Sequence, residues 1–367
     1  MASGNLTPPA TPPFQQGSEW QSSISPISLS ERSLRSTDKS NQDGSSSTRK
    51  FDTRSSQYVL DGAQVLGSGL WSTVYLAPVR LSPSSTDNSL DMTPPSTPER
   101  LSFASTSAVP NFYAVKVPSR GDAPDILAAE ARILTQLSAV HESKSFLVPF
   151  HGLDPRNGNL VMGAVPMTLD NLIEELAYLG EAPRQTKLER TFPSLALHAV
   201  RGMAWLHDQG IVHGDIKPSN ILLSKSPSSG PLPAYRPLYC DFSASHSPAS
   251  PQPSTSNAAA GTWSFLSPEL LSSCSPSSSQ SSDIYALGIT LLTVVLGESP
   301  FKAVEGNRFM LRNAINLGDP LRFAREGELK RMRRLEGWEV WMEKQLQKKA
   351  ELRGSAEEWA KSLEKYQ

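Results

Sequence analysis

One short polar segment restricts what this chain can fold into more than any other feature: residues 213–220, HGDIKPSN. An amphipathic helix is predicted before it, over residues 191–207, and a short strand after it, over residues 238–240. Asp241 follows that strand directly. A loop placed between a helix and a strand brings carboxylate, amide and ammonium groups close together. The pattern therefore predicts a site that carries chemistry rather than a simple connection.

The order of the predicted elements indicates the fold class. Runs rich in β-branched and aromatic residues predict strands at 58–65, 72–78, 111–117, 147–150 and 160–165. Apolar residues at helical spacing predict helices at 123–137, 191–207, 283–296, 308–317 and 337–350. No internal repeat is present in the sequence. Strands first and helices later predict an α+β fold with a small sheet-rich lobe and a larger helical lobe.

Three stretches of the chain are rich in Ser, Thr and Pro. Residues 1–56 have almost no apolar periodicity, and such a segment cannot bury enough apolar surface to offset its chain entropy. We therefore predict a disordered tail over 1–56 and a folded domain over 57–367. Residues from about 80 to 110 and residues 243–257 have the same composition but lie between patterned segments, so they are predicted to be inserted loops.

Charge, cysteine content and apolar runs exclude several classes of protein. The formal net charge is -1, so no global field favours nucleic acid or an anionic membrane. Two cysteines are too few for a disulfide framework and suit a reducing compartment. The longest apolar run, residues 285–296, is shorter than the roughly 20 residues of a membrane span. We predict an intracellular, soluble protein of the cytoplasm or nucleus that binds neither nucleic acid nor membrane.

A glycine-bearing turn of sequence GSGLWSTV lies between two predicted strands. Glycine lets the backbone turn tightly and brings N–H groups close to phosphates. The candidates for nucleotide contact in this turn are Gly67, Ser68, Gly69 and Val74. The alternative is an ordinary hairpin turn, because short glycine patterns are common in such turns.

Lys116 lies on a predicted strand whose neighbouring residues are apolar. A lysine in that position needs a partner, and Glu130 on the following predicted helix is the candidate. Such a pair would point Lys116 at the α- and β-phosphates of a nucleotide. The alternative is an edge-strand lysine with its ammonium group in solvent.

The polar segment has the residue types that phosphoryl transfer requires. That reaction needs an acceptor to orient the attacking hydroxyl and oxygen ligands to hold magnesium. Asp215 fits the first role, and Asn220 and Asp241 fit the second. Lys217 is placed to neutralise charge on the phosphoryl group as it moves.

Taken in order, these motifs resemble the eukaryotic protein kinase family, over roughly residues 58–367. The matching series is Gly67 and Gly69, Lys116, Glu130, Asp215, Asn220, Asp241, the Ser-Pro-Glu of 267–269 and Asp283. The resemblance implies a two-lobed kinase fold with an activation segment at 241–269. It also implies ATP and Mg²⁺ as cofactors and a protein hydroxyl as the phosphoryl acceptor.

The resemblance also assigns residues to the adenine side of a nucleotide pocket: Ala114, Met162, Gly163 and Val165. Backbone groups of Gly163 and Val165 are expected at the adenine edge. Because Pro166 has no N–H, the Val165 N–H is the expected donor.

Other assignments from the resemblance are structural. Asp283 is expected to brace the catalytic loop, and Arg353 is expected to form a buried ion pair with Glu269. His213 and Phe242 are expected to belong to a stack of residues that links the lobes, so His213 is not assigned as a base.

Two features resemble serine/threonine kinases in particular. Lys217 lies two residues after the assigned base, and Gly261-Thr262 precedes the Ser-Pro-Glu sequence. Thr262 is expected to hydrogen-bond near Asp215; the alternative is that it is only a turn residue.

Three residues depart from the family's pattern. Gly214 replaces an arginine that normally holds a phosphorylated activation loop. Ser243 replaces the glycine after Asp241-Phe242, and Ser72 lies where a third glycine usually sits. These changes are expected to lower turnover, although they remove no reacting group. The alternative function is therefore a pseudokinase scaffold, which keeps the fold and acts by binding partners.

Ser-Pro and Thr-Pro pairs occur in the tail and in both inserts, as at 93–94 and 247–248. They suit proline-directed kinases, and each phosphate would add about -1.5 to -2 charge. The alternative is that they are ordinary linker dipeptides.

Overall fold

The computed structural model describes residues 47–81, 111–226, 234–247, 263–272, 277–326 and 329–366. Most of the predicted tail, most of the first predicted insert and residues 248–262 of the predicted activation segment lie outside the described residues. The assignment of Thr262 falls in that part of the chain.

A six-stranded sheet forms the first lobe. Its strands are β1 (Ser56–Tyr58), β2 (Gln64–Ser68), β3 (Ser72–Leu81), β4 (Phe112–Pro118), β5 (Phe150–Leu153) and β6 (Leu160–Gly163). All pairings are antiparallel, in the order β1-β3-β4-β6-β5, and β2 also pairs with β3. This register sets Val74 opposite Lys116 and Ala114 opposite Met162, so two predicted site strands lie side by side.

Helix α1 (Ala123–Ser138) supplies the other layer of this lobe. Its buried positions recur at helical spacing and include Leu127, Glu130, Leu134 and Leu137. Leu134 and Leu137 join the main core together with Ala114 and Met162 of the sheet. Glu130 therefore enters the interior on the same face as the apolar residues.

The opposite face of the sheet has a small core of its own, formed by Phe51, Ala77, Tyr113, Val115 and Val161. Phe51 precedes β1 and is 5% exposed. Its backbone N–H donates to the Leu153 carbonyl at 2.9 Å, and the Leu153 N–H donates to the Arg49 carbonyl at 2.9 Å. The boundary at residue 57 stays a prediction, but residues 49–51 already pair with the sheet edge.

The second lobe is mainly helical. Its helices are α2 (Ser143–Phe146), α3 (Leu169–Tyr178), α4 (Glu181–Asp208), α5 (Pro268–Ser272), α6 (Gln280–Leu296), α7 (Arg308–Leu317), α8 (Pro320–Arg325), α9 (Leu329–Leu335) and α10 (Ala356–Leu363). A two-stranded antiparallel sheet, β7 (Ile221–Ser226) with β8 (Ala234–Tyr239), lies between α4 and α5 in the sequence. Every residue of α6 from Ser282 onward is buried, which explains the long apolar run of the sequence. The predicted α+β fold with two lobes is confirmed.

One predicted helix is wrong. Residues 337–350 were expected to be helical, but only a 3-10 turn, Glu339–Trp341, forms within them, followed by irregular turns. One side chain takes a carbonyl group that a helix would use: the Trp359 indole donates to the Trp341 carbonyl at 2.7 Å. Arg353 donates to the carbonyls of Gln347 and Lys348, which the last turn of such a helix would leave without backbone partners.

Among the described residues, no helix has both the length and the apolar character needed to cross a bilayer.

Candidate active site

Three charged side chains meet where the two lobes face each other. Lys116 Nζ lies 2.7 Å from Glu130 Oε2 and 2.7 Å from Asp241 Oδ1. Lys116 and Glu130 are 4% and 1% exposed, so both charges are removed from water. The Glu130 Oε1 atom accepts the Phe242 N–H at 3.0 Å. Lys116 is therefore paired inside the fold, and the alternative of a solvent-facing lysine is excluded.

Burial and pairing oppose each other in this cluster. Burial alone would lower the pKa of Lys116, but the charges of Asp241 and Glu130 raise it above its usual value. Burial favours the neutral form of Asp241, yet the neighbouring Lys116 ammonium holds the pKa of that carboxyl below its usual range. For Glu130, burial prevails over the attraction of Lys116 and raises the pKa. Asp241 is thus ready to bind a cation as a carboxylate.

The polar segment forms a loop that is fixed by its own side chains. Asp215 Oδ2 accepts from Lys217 Nζ at 2.7 Å and from Asn220 Nδ2 at 3.0 Å. Asn220 Nδ2 also donates to the Asp215 backbone carbonyl at 2.8 Å. These two bonds use the amide nitrogen of Asn220, so its side-chain oxygen remains available as an acceptor or a metal ligand.

Asp283 holds this loop from the first turn of α6. Its Oδ2 accepts the His213 N–H at 2.7 Å, and its Oδ1 accepts the Gly214 N–H at 2.9 Å. His207 Nε2 lies 3.2 Å from the same carboxylate. Asp283 is 2% exposed, so these backbone N–H groups compensate for burying its charge.

His213 has a packing position. Its ring lies 4.9 Å from the ring of Phe242, and its Nε2 lies 3.1 Å from the Cys240 carbonyl. Burial lowers the pKa of His213 below its usual value. Leu134 and Phe150 belong to the same main core as Phe242.

The glycine-bearing turn is the hairpin between β2 and β3. Gly67 lies opposite Val74 and Ser68 opposite Thr73, and the Gly69 N–H donates to the Ser72 carbonyl at 2.8 Å. Hairpin and nucleotide-binding interpretations are therefore compatible. The register of β3 with β4 places Val74 beside Lys116, so the turn lies next to the charged cluster.

The predicted adenine residues lie on β4, on β6 and just after β6. Met162 is 6% exposed and lies opposite both Ala114 and Phe150 in the sheet. The Gly163 N–H donates to the Pro149 carbonyl at 2.7 Å, so it is not free for a ligand. The Val165 N–H has no hydrogen-bond partner among the described residues, which leaves it as the donor of this segment.

The ion pair expected from the resemblance is present. Arg353 Nη1 and Nη2 lie 2.7 and 2.8 Å from the two carboxylate oxygens of Glu269. Arg353 is fully buried, and its other N–H groups donate to the carbonyls of Ser281, Gln347 and Lys348. The pair ties the helix that ends the predicted activation segment to the C-terminal region.

Sequence reasoning missed one contact in this site. It interpreted Ser243 only as the loss of a flexible glycine, but the Ser243 hydroxyl donates to Asp241 Oδ1 at 2.7 Å. The available signal was a serine two residues after an aspartate, because short hydroxyl side chains often bond to nearby groups of their own segment.

Within the described residues, no group of three or more His, Cys, Asp or Glu side chains forms a metal cluster.

The sequence is similar to those of known proteins. Residues 108–362 match the family model described as the protein kinase domain. The chain is 38% identical over 113 residues to the MAP kinase kinase skh1/pek1 of Schizosaccharomyces pombe. This match covers 31% of this chain and 28% of that protein. It is 36% identical over 121 residues to the serine/threonine-protein kinase TOS3 of Saccharomyces cerevisiae. This match covers 30% of this chain and 20% of that protein. The matches thus span less than a third of these relatives, whereas the family model spans most of this chain. The chain belongs to the eukaryotic protein kinase family.

Proposed function

We propose that this protein is an active serine/threonine kinase that transfers the γ-phosphoryl group of Mg-ATP to a protein hydroxyl. The observation that carries the proposal is the charged cluster, in which Lys116 bonds to both Glu130 and Asp241 at 2.7 Å. Protein kinases need this lysine–glutamate pair and the metal-binding aspartate in place together for phosphoryl transfer.

Asp215 is the proposed base. Its described hydrogen bonds from Lys217 and Asn220 both end on Oδ2, which leaves Oδ1 for a substrate hydroxyl. As the hydroxyl oxygen bonds to the γ-phosphorus, the bond from that phosphorus to the β–γ bridging oxygen breaks. The electron pair leaves with ADP, and the hydroxyl proton passes to Asp215. The Lys217 ammonium, 2.7 Å from Asp215, is placed to neutralise negative charge on the phosphoryl group as it moves.

The residues present fit a magnesium ion. The hydrogen bonds described for the Asp241 side chain, from Lys116 Nζ and from the hydroxyl and backbone N–H of Ser243, all end on Oδ1. The amide nitrogen of Asn220 is already used. Asp241 Oδ2 and Asn220 Oδ1 therefore supply the oxygen ligands that magnesium prefers. When bound, the ion would neutralise charge on the phosphates of ATP.

The nucleotide is proposed to lie between the glycine-bearing turn and β6. Lys116 would meet the α- and β-phosphates, and the Val165 N–H would meet the adenine edge. Met162 and Ala114, which are both buried, would form the apolar side of this space. The lysine–glutamate pair positions the ammonium group, because Glu130 is held in turn by the Phe242 N–H.

A hydroxyl of serine or threonine is the proposed acceptor. Lys217 lies two residues after Asp215, as in serine/threonine kinases, and one relative bears the name of a serine/threonine-protein kinase. A protein substrate follows from this proposal. Proline-directed phosphorylation of the tail and inserts, the absence of nucleic-acid and membrane partners, and the cytoplasmic or nuclear compartment stay predictions.

Transfer of labelled γ-phosphate from Mg-ATP tests the proposal, with a generic basic protein and the chain itself as acceptors. Asp215→Asn is expected to abolish transfer, because the amide cannot take the proton. Asp208→Asn, at an exposed aspartate of the end of α4, controls for the loss of one carboxylate and should leave transfer intact.

The rival function, a pseudokinase scaffold, is favoured by Gly214, Ser243 and Ser72. Wild-type label no higher than in Asp215→Asn, with both proteins folded, would support the scaffold. Transfer of label by the wild type and by Asp208→Asn, but not by Asp215→Asn, would support the kinase function.

A further inference from the structure

Ser243 makes a contact that glycine, the family's usual residue at this position, cannot make. Its hydroxyl donates to Asp241 Oδ1 at 2.7 Å, and its backbone N–H lies 3.4 Å from the same oxygen. A separation of 2.7 Å is typical of a charge-assisted O–H···O⁻ hydrogen bond. The hydroxyl therefore bonds directly to the carboxylate that the proposed function assigns to the metal.

Asp241 needs to be held. Its φ is 60°, and among the described residues no other non-glycine residue has a positive φ. Such a conformation costs of order 1–3 kcal/mol and persists only where the surroundings fix it. Its side chain is 35% exposed, so packing restrains it on one side only.

Both strong donors to this carboxylate end on one oxygen. Lys116 Nζ and Ser243 Oγ each lie 2.7 Å from Oδ1, and they approach from different chain segments. Two donors on Oδ1 fix the rotation of the carboxylate plane. The position of the second oxygen, Oδ2, is then fixed as well, and Oδ2 accepts no hydrogen bond from the described residues.

We propose that Ser243 is a positioning residue for Asp241: its hydroxyl orients the carboxylate so that Oδ2 is presented to Mg²⁺. The proposal rests on the proposed function, because it assumes that Mg-ATP binds at Asp241. Hydrogen-bond partners of metal ligands commonly have this effect, and their loss typically costs about 10- to 100-fold in metal affinity or activity.

Three substitutions separate the hydroxyl from the backbone. Ser243→Ala removes the hydroxyl and keeps the backbone restriction of a side chain. Ser243→Gly removes both, and Ser243→Thr keeps a hydroxyl on the same carbon. Ser245→Ala is the matched control, since Ser245 Oγ donates to the His213 carbonyl at 2.8 Å and has no described hydrogen bond to Asp241.

The measurement is ATP binding to the full chain by isothermal titration calorimetry, in EDTA and across a series of Mg²⁺ concentrations. We expect the Mg²⁺ concentration for half-maximal gain in ATP affinity to rise about 10-fold in Ser243→Ala and Ser243→Gly. Ser243→Thr and Ser245→Ala should match the wild type. In EDTA all variants should bind ATP as the wild type does, because the hydroxyl acts through the metal ligand.

The outcomes separate this inference from the proposed function. A wild-type protein that gains no ATP affinity from Mg²⁺ would overturn both. A wild type that gains affinity, with Ser243→Ala unchanged from it, would overturn the role of the hydroxyl alone. A higher Mg²⁺ requirement in Ser243→Gly but not in Ser243→Ala would also overturn the role of the hydroxyl, because the backbone would then be responsible.

Discussion

At the scale of single residues, Gly214 has a left-handed backbone conformation that would be strained for any other residue. Its φ is +81°, and a Cβ atom at this position would lie 2.6 Å from the Ala244 carbonyl oxygen. We expect Gly214→Ala to lower the free energy of unfolding by about 3 kcal/mol, from left-handed strain and overpacking together. Urea denaturation measures this change.

Gly210→Ala is the control for that prediction. Gly210 also has a positive φ, +69°, but an added Cβ there would meet nothing within 4 Å. The control should cost only the left-handed strain, about 1 kcal/mol. Equal losses in the two variants would show that the approach of Ala244 to Gly214 is unimportant.

The sequence predicted which residues would meet in the site, but not how they touch. Lys116, Glu130 and Asp241 were predicted from residue type and order, and the structure brings them within hydrogen-bond distance. The Ser243 contact depends on the backbone turn at Asp241, with φ of 60°. A single sequence does not fix such a torsion, so this contact could only be found in the structure.

At the scale of elements, residues 49–51 extend the sheet beyond β5 and reach α1. The Arg49 N–H donates to Thr135 Oγ1 on α1 at 2.9 Å, while Phe51 is buried near Tyr113, with ring centroids 5.6 Å apart. Gly152 permits the approach, since a Cβ there would lie 2.5 Å from the Phe51 nitrogen. This segment therefore joins the sheet edge to the helix that carries Glu130.

Phe51→Ala is expected to destabilise the first lobe by about 3 kcal/mol, because it leaves a cavity in a small core. Amide hydrogen exchange should speed up in β5 and α1. Tyr178→Ala, which removes an aromatic side chain that is 92% exposed, should change the free energy of unfolding by less than about 0.5 kcal/mol. Unchanged exchange in α1 of the Phe51 variant would show that the segment does not hold that helix.

Elements were predicted well where their pattern was local and poorly where tertiary contacts decide. The periods of α1 and α6 appear directly in the sequence, and both helices form. Residues 337–350 have apolar residues at helical spacing too, yet Trp341 is buried at the end of a short 3-10 turn and Met342 in the irregular turn after it. The Trp341 carbonyl accepts from the Trp359 indole, a distant side chain that periodicity cannot reveal.

At the scale of the whole molecule, the order of motifs predicted the fold more reliably than any single element. Strands first, helices later and polar residues at the element ends specify two lobes with a site between them. What the order could not supply is the packing that holds the second lobe together. Arg353 illustrates this: the resemblance implied its ion pair with Glu269, but not its bonds to the carbonyls at residues 281, 347 and 348.

Arg353→Met is therefore expected to lower the free energy of unfolding by about 3 kcal/mol at pH 7, since it leaves Glu269 without its partner. Burial raises the pKa of Glu269, but bonding and charge from Arg353 prevail and hold that pKa below the usual 4.5. A lowered folded-state pKa stabilises the fold above about pH 4.5, and this contribution is lost as the pH falls through the folded value. The difference in unfolding free energy between wild type and variant should thus shrink from pH 7 towards pH 4 in urea denaturation.

Arg201→Met is the control for this prediction. It breaks an ion pair with Glu364 in which both side chains are 50% exposed, and it should cost less than about 1 kcal/mol at every pH. A loss for Arg353→Met that is equally large at pH 7 and pH 4 would assign its effect to the carbonyl contacts rather than to the ion pair.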